Sequence, residues 1–307
     1  MAISPDTTVG PVSLTVSNLD RALGFYNGVL GFSLARRQGT TAVLSAGVSP
    51  PLVVLTEVPG ARPQPRRTTG LYHFAVLVPD RASLARALTR LLEAGYPIHG
   101  ASDHLVSEAL YLADPDGNGI EVYADRPRAQ WPRRDEAIVM DTRALDLEGL
   151  RAELDGRPNA EGGGALAPAT RIGHIHLRVS DLRQDEAFYH GVLGFEVMQR
   201  NYPGALFVAA GGYHHHVGMN IWGGIGAPPP PPGTAGLRWF AICLPDDAGL
   251  RAVLAHVRAA SVSLRQVEAG WFLRDPSHNG ILLVSGGGLG IAEAVTAVPL
   301  DAARPVA

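Results

Sequence analysis

The sequence has almost no cysteine, no long apolar run and no excess of basic residues. Each of these absences excludes a structural feature or a class of partner. Cys243 is the only cysteine, so an internal disulfide is impossible, and its place in the apolar run FAICL suits a core residue. Lys plus Arg number 26 against 29 for Asp plus Glu, so no basic surface is expected to attract nucleic acid. No apolar stretch is long enough to span a bilayer, and the first ten residues lack the pattern of a secretory signal. We therefore expect a cytoplasmic protein with no nucleic-acid and no membrane partner.

The chain contains an internal duplication. Its 307 residues, 46% of them hydrophobic, are enough for about two domains with buried cores. Residues 17–32, SNLDRALGFYNGVLGF, agree with residues 180–195, SDLRQDEAFYHGVLGF, at nine of sixteen positions, which composition cannot explain. Two further pairs of segments match: LYHFAVLVPD (71–80) with LRWFAICLPD (237–246), and DPDGNGIEVY (114–123) with DPSHNGILLV (275–284). The chain therefore consists of four related units.

Each unit has the pattern of one strand, one helix and further strands. An apolar or alternating run predicts the first strand, and a helical pattern ended by glycine, such as ASLARALTRLLEAG, predicts the helix. Two or three short strands then follow. The sequence therefore predicts an α+β fold built from four βαβββ modules, at about residues 7–58, 70–124, 171–223 and 236–285.

The modules group into two halves. Modules one and two make an N-terminal pair in residues 1–125, and modules three and four make a C-terminal pair in residues 171–286. Residues 126–170 are expected to be a linker and residues 287–307 a tail. The proline run at 228–232 should form an extended spacer between modules three and four.

This arrangement resembles the vicinal-oxygen-chelate superfamily, in which paired βαβββ units form a cupped sheet around a divalent metal. The resemblance covers nearly the whole chain outside the linker and the tail, and the residues are most similar to the bacterial catechol 2,3-dioxygenases. It implies two cupped-sheet barrels, an extradiol ring-cleaving activity and a non-haem iron(II) cofactor. The ligands in that family are one histidine on the first strand of a unit, a second histidine on the first strand of its partner, and a glutamate on the partner's last strand.

Carried over by position, the family's ligands fall on His174, His73 and Glu121. Two histidines and one carboxylate are typical of iron(II) oxygenases, and they leave coordination sites open for substrate and dioxygen. His176, which shares a strand face with His174, is a further candidate for a place beside the metal. The matching positions in the other two modules carry residues that cannot bind a metal: Pro11, Trp239 and Leu282. The resemblance therefore implies one working metal site and one site without ligands.

Neither half of the duplication contains all three ligands. The N-terminal half offers His73 and Glu121, and the C-terminal half offers only His174. Pairing module two with module three completes the set, and modules one and four then form a barrel without ligands. The long linker leaves room for this exchange within one chain, although an exchange between chains would satisfy the same requirement.

Three successive histidines, His214 to His216, stand where module one has two prolines and a leucine. The catechol 2,3-dioxygenases that this sequence resembles carry a pair of histidines here, and one of the two is an acid–base residue beside the dioxygen site. Side chains alternate along a strand, so His214 and His216 are expected on one face and His215 on the other. The alignment favours His216 for proton transfer, with His215 as the fallback, because histidine titrates near neutral pH. An exposed strand edge is the alternative interpretation of this run.

A segment at residues 103–115, DHLVSEALYLADP, resembles the family's segment that bears a substrate-facing histidine and a tyrosine. These two map to His104 and Tyr111. Module four, which lacks the ligands, has Phe272 in place of Tyr111, and this difference removes only the hydroxyl. That hydroxyl could hydrogen-bond a catecholate oxygen, and a plain core tyrosine is the alternative.

These residues predict extradiol cleavage of catechol or a substituted catechol by O2 to a 2-hydroxymuconic semialdehyde. The partners would be a small aromatic diol and O2, the metal iron(II) or manganese(II) at a site shared by modules two and three, and the assembly a homo-oligomer. A glyoxalase-like isomerase or lyase is one alternative, but it would need a fourth protein ligand, and no Asp or Glu occurs between Glu196 and Asp246. A non-enzymatic binding protein of the bleomycin-resistance type is the other, and it needs no metal ligands.

Overall fold

The computed structural model describes residues 2–47, 50–135, 137–155 and 164–286. The tail predicted at 287–307 lies outside these residues. No helix in the described segments is both long and apolar enough to cross a membrane.

Each module has the predicted order of a strand, a helix and three strands. Module one comprises β1 (Thr8–Val16), α1 (Leu19–Tyr26), β2 (Ser33–Gln38), β3 (Thr41–Ser45) and β4 (Pro51–Glu57). Module two comprises β5 (Gly70–Leu77), α2 (Arg81–Glu93), β6 (Gly100–Asp103), β7 (Ser107–Ala113) and β8 (Gly119–Asp125). The connecting segment holds a 3₁₀ turn (Arg128–Gln130), β9 (Arg133–Arg134), β10 (Ala137–Ile138), β11 (Arg143–Ala144) and α3 (Leu147–Ala152).

The second half of the chain repeats the same order. Module three comprises β12 (Arg171–Arg178), α4 (Leu182–Glu186) continued by a π-helical turn (Ala187–Val192), β13 (Glu196–Gln199), β14 (Ala205–Ala209) and β15 (Val217–Asn220). Module four comprises β16 (Gly236–Leu244), α5 (Asp247–Ala259), β17 (Arg265–Val267), β18 (Gly270–Arg274) and β19 (Gly280–Ser285).

Each module helix begins at an amide or carboxylate side chain that caps it. Backbone N–H groups in the first turns of α1, α2, α4 and α5 donate to four such residues: Asn18, Asp80, Asp181 and Asp246. These caps satisfy N–H groups that have no partner inside the helix. The repeated polar residue before each helical pattern therefore fixes where the helix starts.

The modules pair across the duplication. A nine-stranded sheet with the order β11-β6-β7-β8-β5-β12-β15-β14-β13 joins module two to module three. An eight-stranded sheet with the order β17-β18-β19-β16-β1-β4-β3-β2 joins module four to module one. At the centre of each sheet the first strands of two modules run antiparallel, β5 with β12 and β1 with β16. The predicted exchange of module partners is confirmed, and it takes place within one chain.

The main apolar core takes one face of both sheets. It includes Leu14 of β1, Phe74 of β5 and Ile175 of β12, together with apolar side chains of the helices. Side chains alternate between the two faces of a strand, so the neighbours of these core residues point the opposite way. On the nine-stranded sheet, that opposite face carries His73 and His174.

The connecting segment adds to the fold. β11 extends the nine-stranded sheet beside β6, and α3 packs against α2. Arg81 of α2 donates to the Gly149 carbonyl of the connecting segment at 2.9 Å. The sequence indicated only a linker here, because the segment has no match elsewhere in the chain and its elements are very short.

Candidate metal centre

His73, Glu121 and His174 lie on three neighbouring strands. In the nine-stranded sheet β5 lies between β8 and β12, so the three side chains start from adjacent positions. The β5–β12 pairing is irregular, because Gly173 is an extra residue in β12 and Tyr72 an extra residue in β5. Bulges of this kind turn neighbouring side chains away from a regular strand direction. They flank the histidines of both strands and so help to aim them.

Gly173 allows a tyrosine to support His174. A Cβ atom at this position would overlap the hydroxyl of Tyr123, so only glycine leaves room for it. The Tyr123 ring therefore lies against the His174 ring, with their centroids 4.9 Å apart. The residue before His174 is thus part of what fixes that imidazole in place.

The three donor atoms converge on one point. Nε2 of His174 lies 3.1 Å from Oε2 of Glu121, and Nε2 of His73 lies 3.0 Å from the same oxygen. All three residues are buried, and their donor atoms lie within 4.8 Å of one another. Among the described residues, no other group of His, Cys, Asp and Glu side chains has such spacing.

This geometry fits a divalent metal. Nε2 of His73 lacks a hydrogen bond of acceptable geometry among the described residues, and a buried polar atom left unpaired is unfavourable. Two ligand atoms at right angles around a first-row ion, with bonds of about 2.1 Å, would lie about 3.0 Å apart. The spacings of 3.0 and 3.1 Å to the Glu121 oxygen match this value. Two histidines and one carboxylate would leave other coordination positions open.

Electrostatics favour the metal-binding forms of these residues. Burial alone would raise the pKa of Glu121, but its interactions with the neighbouring imidazoles of His174 and His73 hold that pKa well below its usual range. Burial lowers the pKa of His174 to about 4, although the Glu121 charge opposes this shift. Near neutral pH the cluster therefore offers an ionised carboxylate and a neutral His174 imidazole, the forms that bind metals.

A cavity of about 240 Å³ is lined by two of the three donor residues, His73 and Glu121. Five aromatic side chains line it: Tyr72, Tyr111, Tyr202, Phe207 and Trp222. Four further histidines contribute polar groups: His104, His176, His214 and His215. A small cavity that combines aromatic side chains with several polar groups suits a small aromatic ligand that carries polar substituents.

Comparison with known proteins agrees with this architecture. The sequence matches the model of the Glyoxalase/Bleomycin resistance protein/Dioxygenase superfamily over residues 8–122 and 171–281. The chain belongs to this superfamily. Among curated members, a catechol-2,3-dioxygenase of Bacillus subtilis (strain 168) is 48% identical over 279 residues, which cover 90% of this chain and 96% of that relative.

Two solved structures share the fold. A putative dioxygenase from Bacillus subtilis subsp. subtilis str. 168 has a TM-score of 0.62 at 13% identity, and the match covers 93% of this chain and 86% of that chain. Glyoxalase I from Zea mays has a TM-score of 0.57 at 17% identity, with 95% and 97% covered. At these identities the likeness shows the fold alone, and it confirms the predicted α+β fold of βαβββ modules.

In this superfamily member, His104 and Tyr111 meet at the cavity wall. Nε2 of His104 lies 2.6 Å from the Tyr111 hydroxyl, and Nδ1 lies 2.9 Å from the Asp141 carbonyl. Tyr111 stands directly opposite Glu121 across β7 and β8. Burial and the Glu121 charge raise the pKa of Tyr111 well above its usual range, so its hydroxyl stays protonated. The structure thus brings together the two residues that the sequence proposed for substrate contact.

The three-histidine run does not have the predicted strand register. β15 begins only at Val217, and the backbone of residues 213–216 forms a bend. The rule of alternating faces therefore does not apply to these histidines. Both His214 and His215 line the cavity, whereas His216 does not.

The expected strand faces of His215 and His216 are therefore wrong, and the acid–base role of either residue stays a prediction. The His215 ring lies 4.1 Å from the His174 ring, measured between centroids. His216 instead accepts a hydrogen bond from the Ala210 amide at 3.1 Å and lines a second cavity, of about 280 Å³. Burial lowers the pKa of His215 well below its usual range and that of His216 to about 3, so both imidazoles are neutral near pH 7.

Several residues of the site were not found from the sequence. Asn220 places its side-chain amide 3.0 Å from Nε2 of His176, and Asp125 lies 3.0 Å from Nε2 of His214. Asp125 had a usable signal, since it shares a face of β8 with Glu121 at even spacing. Met140 and Thr142 also line the cavity, but they come from the connecting segment, where no sequence pattern pointed to the site.

The eight-stranded sheet has an apolar cluster where the other sheet has its histidines. Trp239, which matches His73, is buried among Val54, Phe272 and Leu282. Leu282 matches Glu121, so an aliphatic side chain occupies the place of the carboxylate. The described residues of this sheet form no metal-like cluster.

Proposed function

We propose that this protein is an extradiol dioxygenase that opens catechol or a substituted catechol with O2 to a 2-hydroxymuconic semialdehyde. The observation that carries the proposal is the buried cluster of two histidines and one glutamate at an aromatic-lined cavity. The 48% identity to a relative named catechol-2,3-dioxygenase supports the same reaction class.

In this proposal His73, His174 and Glu121 hold iron(II), and manganese(II) would suit the same donor set. When bound, the metal would supply open coordination sites for the diol and dioxygen and a path for electrons between them. The protein supplies a rigid cluster, because Tyr123 packs against His174 and the strand bulges aim both histidines.

The aromatic wall would orient the substrate ring. Tyr72 and Trp222 lie edge to face at 5.2 Å between centroids, and Phe207 lies 5.1 Å from His215. A planar diol between these side chains would keep its oxygens turned towards the cluster, and the apolar surroundings would exclude water. The Tyr111 hydroxyl and His104 would then hydrogen-bond a substrate oxygen.

Proton transfer is assigned to His215 because it faces the cavity and the other candidate, His216, does not. His215 would take a proton from a ring hydroxyl and return it to an oxygen later in the reaction. Its neutral imidazole can accept that proton. Positioned groups of this kind contribute about 10²- to 10⁴-fold to rates.

A glyoxalase-like isomerase or lyase is less well supported. The donor cluster has three members among the described residues, and a fourth acidic ligand does not join it. The position of β15 that matches Glu121 is Gly218, because Gly218 pairs with His176 as Glu121 pairs with Ala75, and glycine has no side chain to bind a metal. A homo-oligomeric assembly stays a prediction.

Metal analysis followed by substrate titration tests the proposal. Purified protein reconstituted with iron(II) is titrated anaerobically with catechol, and air is then admitted. We expect catechol to perturb the metal spectrum without turnover, and ring opening to start only with oxygen, with a product mass equal to catechol plus one O2. Products cleaved between the two hydroxyl carbons, or no reaction with any catechol while a thiol adduct of an α-ketoaldehyde is turned over, would overturn it.

A further inference from the structure

We propose that Asp125 is a positioning residue which, acting through His214, fixes the tautomer of His215. The proton of His215 is held on Nδ1, and the lone pair of Nε2 is left for the substrate. The catalytic consequence rests on the proposed function, whereas the tautomer itself does not.

The three residues form a continuous chain. Oδ1 of Asp125 lies 3.0 Å from Nε2 of His214, and Nδ1 of His214 lies 2.9 Å from Nδ1 of His215. His214 is buried, with 1% of its surface exposed, so no solvent competes for its ring nitrogens. His215 then lies against His174 and lines the cavity.

The hydrogen bonds that Asp125 receives fix which atoms donate and which accept along this row of residues. The Tyr213 hydroxyl donates to Oδ2 of Asp125 at 2.9 Å, and the Tyr123 hydroxyl lies 2.8 Å from that of Tyr213. Because the Tyr213 hydroxyl proton is already donated to Asp125, the Tyr123 hydroxyl must donate to the Tyr213 oxygen. Both oxygens of Asp125 therefore act as acceptors, as expected of a carboxylate.

A carboxylate oxygen can only accept, so Nε2 of His214 must carry its proton. In its neutral form an imidazole has one N–H, which leaves Nδ1 of His214 as an acceptor. The 2.9 Å contact between the two Nδ1 atoms then needs a proton from His215. The remaining nitrogen of His215, Nε2, is unprotonated and can accept a proton.

The duplication gives an internal comparison. The positions of His214 and His215 are occupied by Pro50 and Pro51 in module one, and Gly286 stands in module four where Asp125 stands in module two. The eight-stranded sheet, which lacks the metal donors, therefore also lacks counterparts of Asp125, His214 and His215. The network occurs together with the donor cluster and is not a general feature of the module.

Replacing Asp125 by asparagine should reverse the donor and acceptor roles along this row of hydrogen bonds. The amide nitrogen would donate to Nε2 of His214, whose proton would move to Nδ1 and point at His215. His215 would then carry its proton on Nε2 and could no longer accept one from substrate. A change of this kind alters tautomers while it leaves the geometry nearly intact, as is known for the carboxylate of serine protease triads.

The test is a tautomer measurement on the metal-loaded protein. Zinc(II) replaces iron so that the sample is diamagnetic, the histidines are labelled with ¹⁵N, and long-range ¹H–¹⁵N correlations report which ring nitrogen is protonated. We expect Nδ1–H for His215 in the wild type and Nε2–H in Asp125→Asn. In the iron form the same variant should lose about 100-fold in kcat with KM changed less than about threefold. Asp125→Glu should restore the wild-type tautomer and part of the rate.

Tyr213→Phe is the matched control, because it keeps the ring that packs on His214 and leaves the Asp125–His214 contact intact. Its His215 tautomer should be that of the wild type. The inference is overturned if His215 carries its proton on Nε2 in the wild type, as a doubly protonated His214 would require, or if Asp125→Asn leaves the tautomer unchanged. If the tautomers behave as expected and no catechol is cleaved, the proposed function fails and the positioning role of Asp125 stands.

Discussion

Nε2 of His174 and Oε2 of Glu121 lie 3.1 Å apart although the two residues belong to different halves of the duplicated chain. Their strands are brought together because β12 of module three pairs with β5 of module two, which itself pairs with β8. Each half alone would lack part of the donor set. The metal centre is therefore a property of the exchanged fold, and its loss or retention reports directly on that fold.

The first prediction concerns metal content. Wild-type protein should bind about one metal ion per chain, because the part of the chain that the structure describes has a single donor cluster, in the nine-stranded sheet. Glu121→Gln replaces a charged ligand by a neutral amide and should retain only a small fraction of the metal. The measurement is elemental analysis after gel filtration, with circular dichroism to verify folding.

Glu108→Gln is the control for this substitution. Glu108 is also a buried glutamate, on β7, but it pairs with Arg81 and Arg126 away from the donor cluster. Its replacement should lower stability and leave the metal content unchanged. Equal metal loss in both variants would argue against Glu121 as a ligand.

The second prediction compares two adjacent histidines. His215→Gln should lower kcat by at least about tenfold, because it removes the proton-accepting group that faces the cavity. His216→Gln should have a milder effect, since His216 accepts from the Ala210 amide outside the cavity. Steady-state kinetics on iron-loaded protein checks both, and the reverse ranking would contradict the assignment to His215.

Much of the fold could be predicted because its signals are local and repeated. The capped helices, the apolar strands and the four matching units all follow from short sequence patterns. The exchange of module partners needed one further step, namely that His174 completes a ligand set with His73 and Glu121. A requirement of chemistry thus selected a topology that hydrophobic patterning alone leaves open.

The errors arose where local patterns carry no information. The run His214 to His216 matches an extended segment in module one, yet its backbone bends before β15, so alternation gave the wrong face for His216. Met140 and Thr142 reach the cavity from the connecting segment, whose position depends on the packing of α3 and β11 against module two. Such long-range packing has no counterpart in a sequence spacing.

The third prediction concerns Tyr111. Tyr111→Phe removes the hydroxyl that lies 2.6 Å from Nε2 of His104 and keeps the ring in the cavity wall. Loss of one hydrogen bond to substrate, worth about 0.5–1.5 kcal/mol, should lower kcat/KM about two- to tenfold. Metal content should stay unchanged. Kinetics with catechol measures the effect, and an unchanged kcat/KM would mean that Tyr111 is only a wall residue.

The fourth prediction concerns the sheet without donors. Trp239 is 1% exposed and belongs to the apolar cluster of that sheet. Trp239→Ala should lower the free energy of unfolding by about 3–5 kcal/mol, since it leaves a large cavity. It should not change the metal content of the folded protein, which chemical denaturation and elemental analysis can measure together.

Trp222→Ala provides the contrast to Trp239→Ala. Trp222 is 47% exposed at the mouth of the candidate cavity. Its loss should change stability little and raise KM for the diol. If the two tryptophan variants had the same effects on stability and KM, the assignment of substrate binding to the nine-stranded sheet alone would be wrong.

The last prediction is a pH dependence of stability that originates outside the metal centre. Asp185 of α4 is fully buried, and burial together with the Asp275 charge raises its pKa to about 8. Burial also raises the pKa of Asp275 to about 6. In an unfolded chain an aspartate has a pKa of about 3.9, so between about pH 4 and 8 the native state binds more protons than the unfolded state. The free energy of unfolding should therefore fall as the pH rises through this window.

Asp185→Asn removes the group that must keep or lose this proton, and the Ser277 hydroxyl, which donates to Asp185 at 2.7 Å, can still donate to the amide oxygen. We expect the variant to be more stable than the wild type by at least about 1 kcal/mol at pH 8. This difference should shrink towards zero as the pH falls below about 4, because the carboxyl is then protonated in the unfolded chain as well as in the native state. Urea unfolding at a series of pH values, with wild type and variant compared at each pH, measures the difference. Asp20→Asn, at an exposed aspartate of α1, should follow the wild-type curve at every pH. If the free energy of unfolding of Asp185→Asn differed from that of the wild type by a constant amount from pH 4.5 to 8, the Asp185 carboxyl would ionise in the native state as readily as in the unfolded chain. The buried pair of aspartates would then not control the pH dependence of stability.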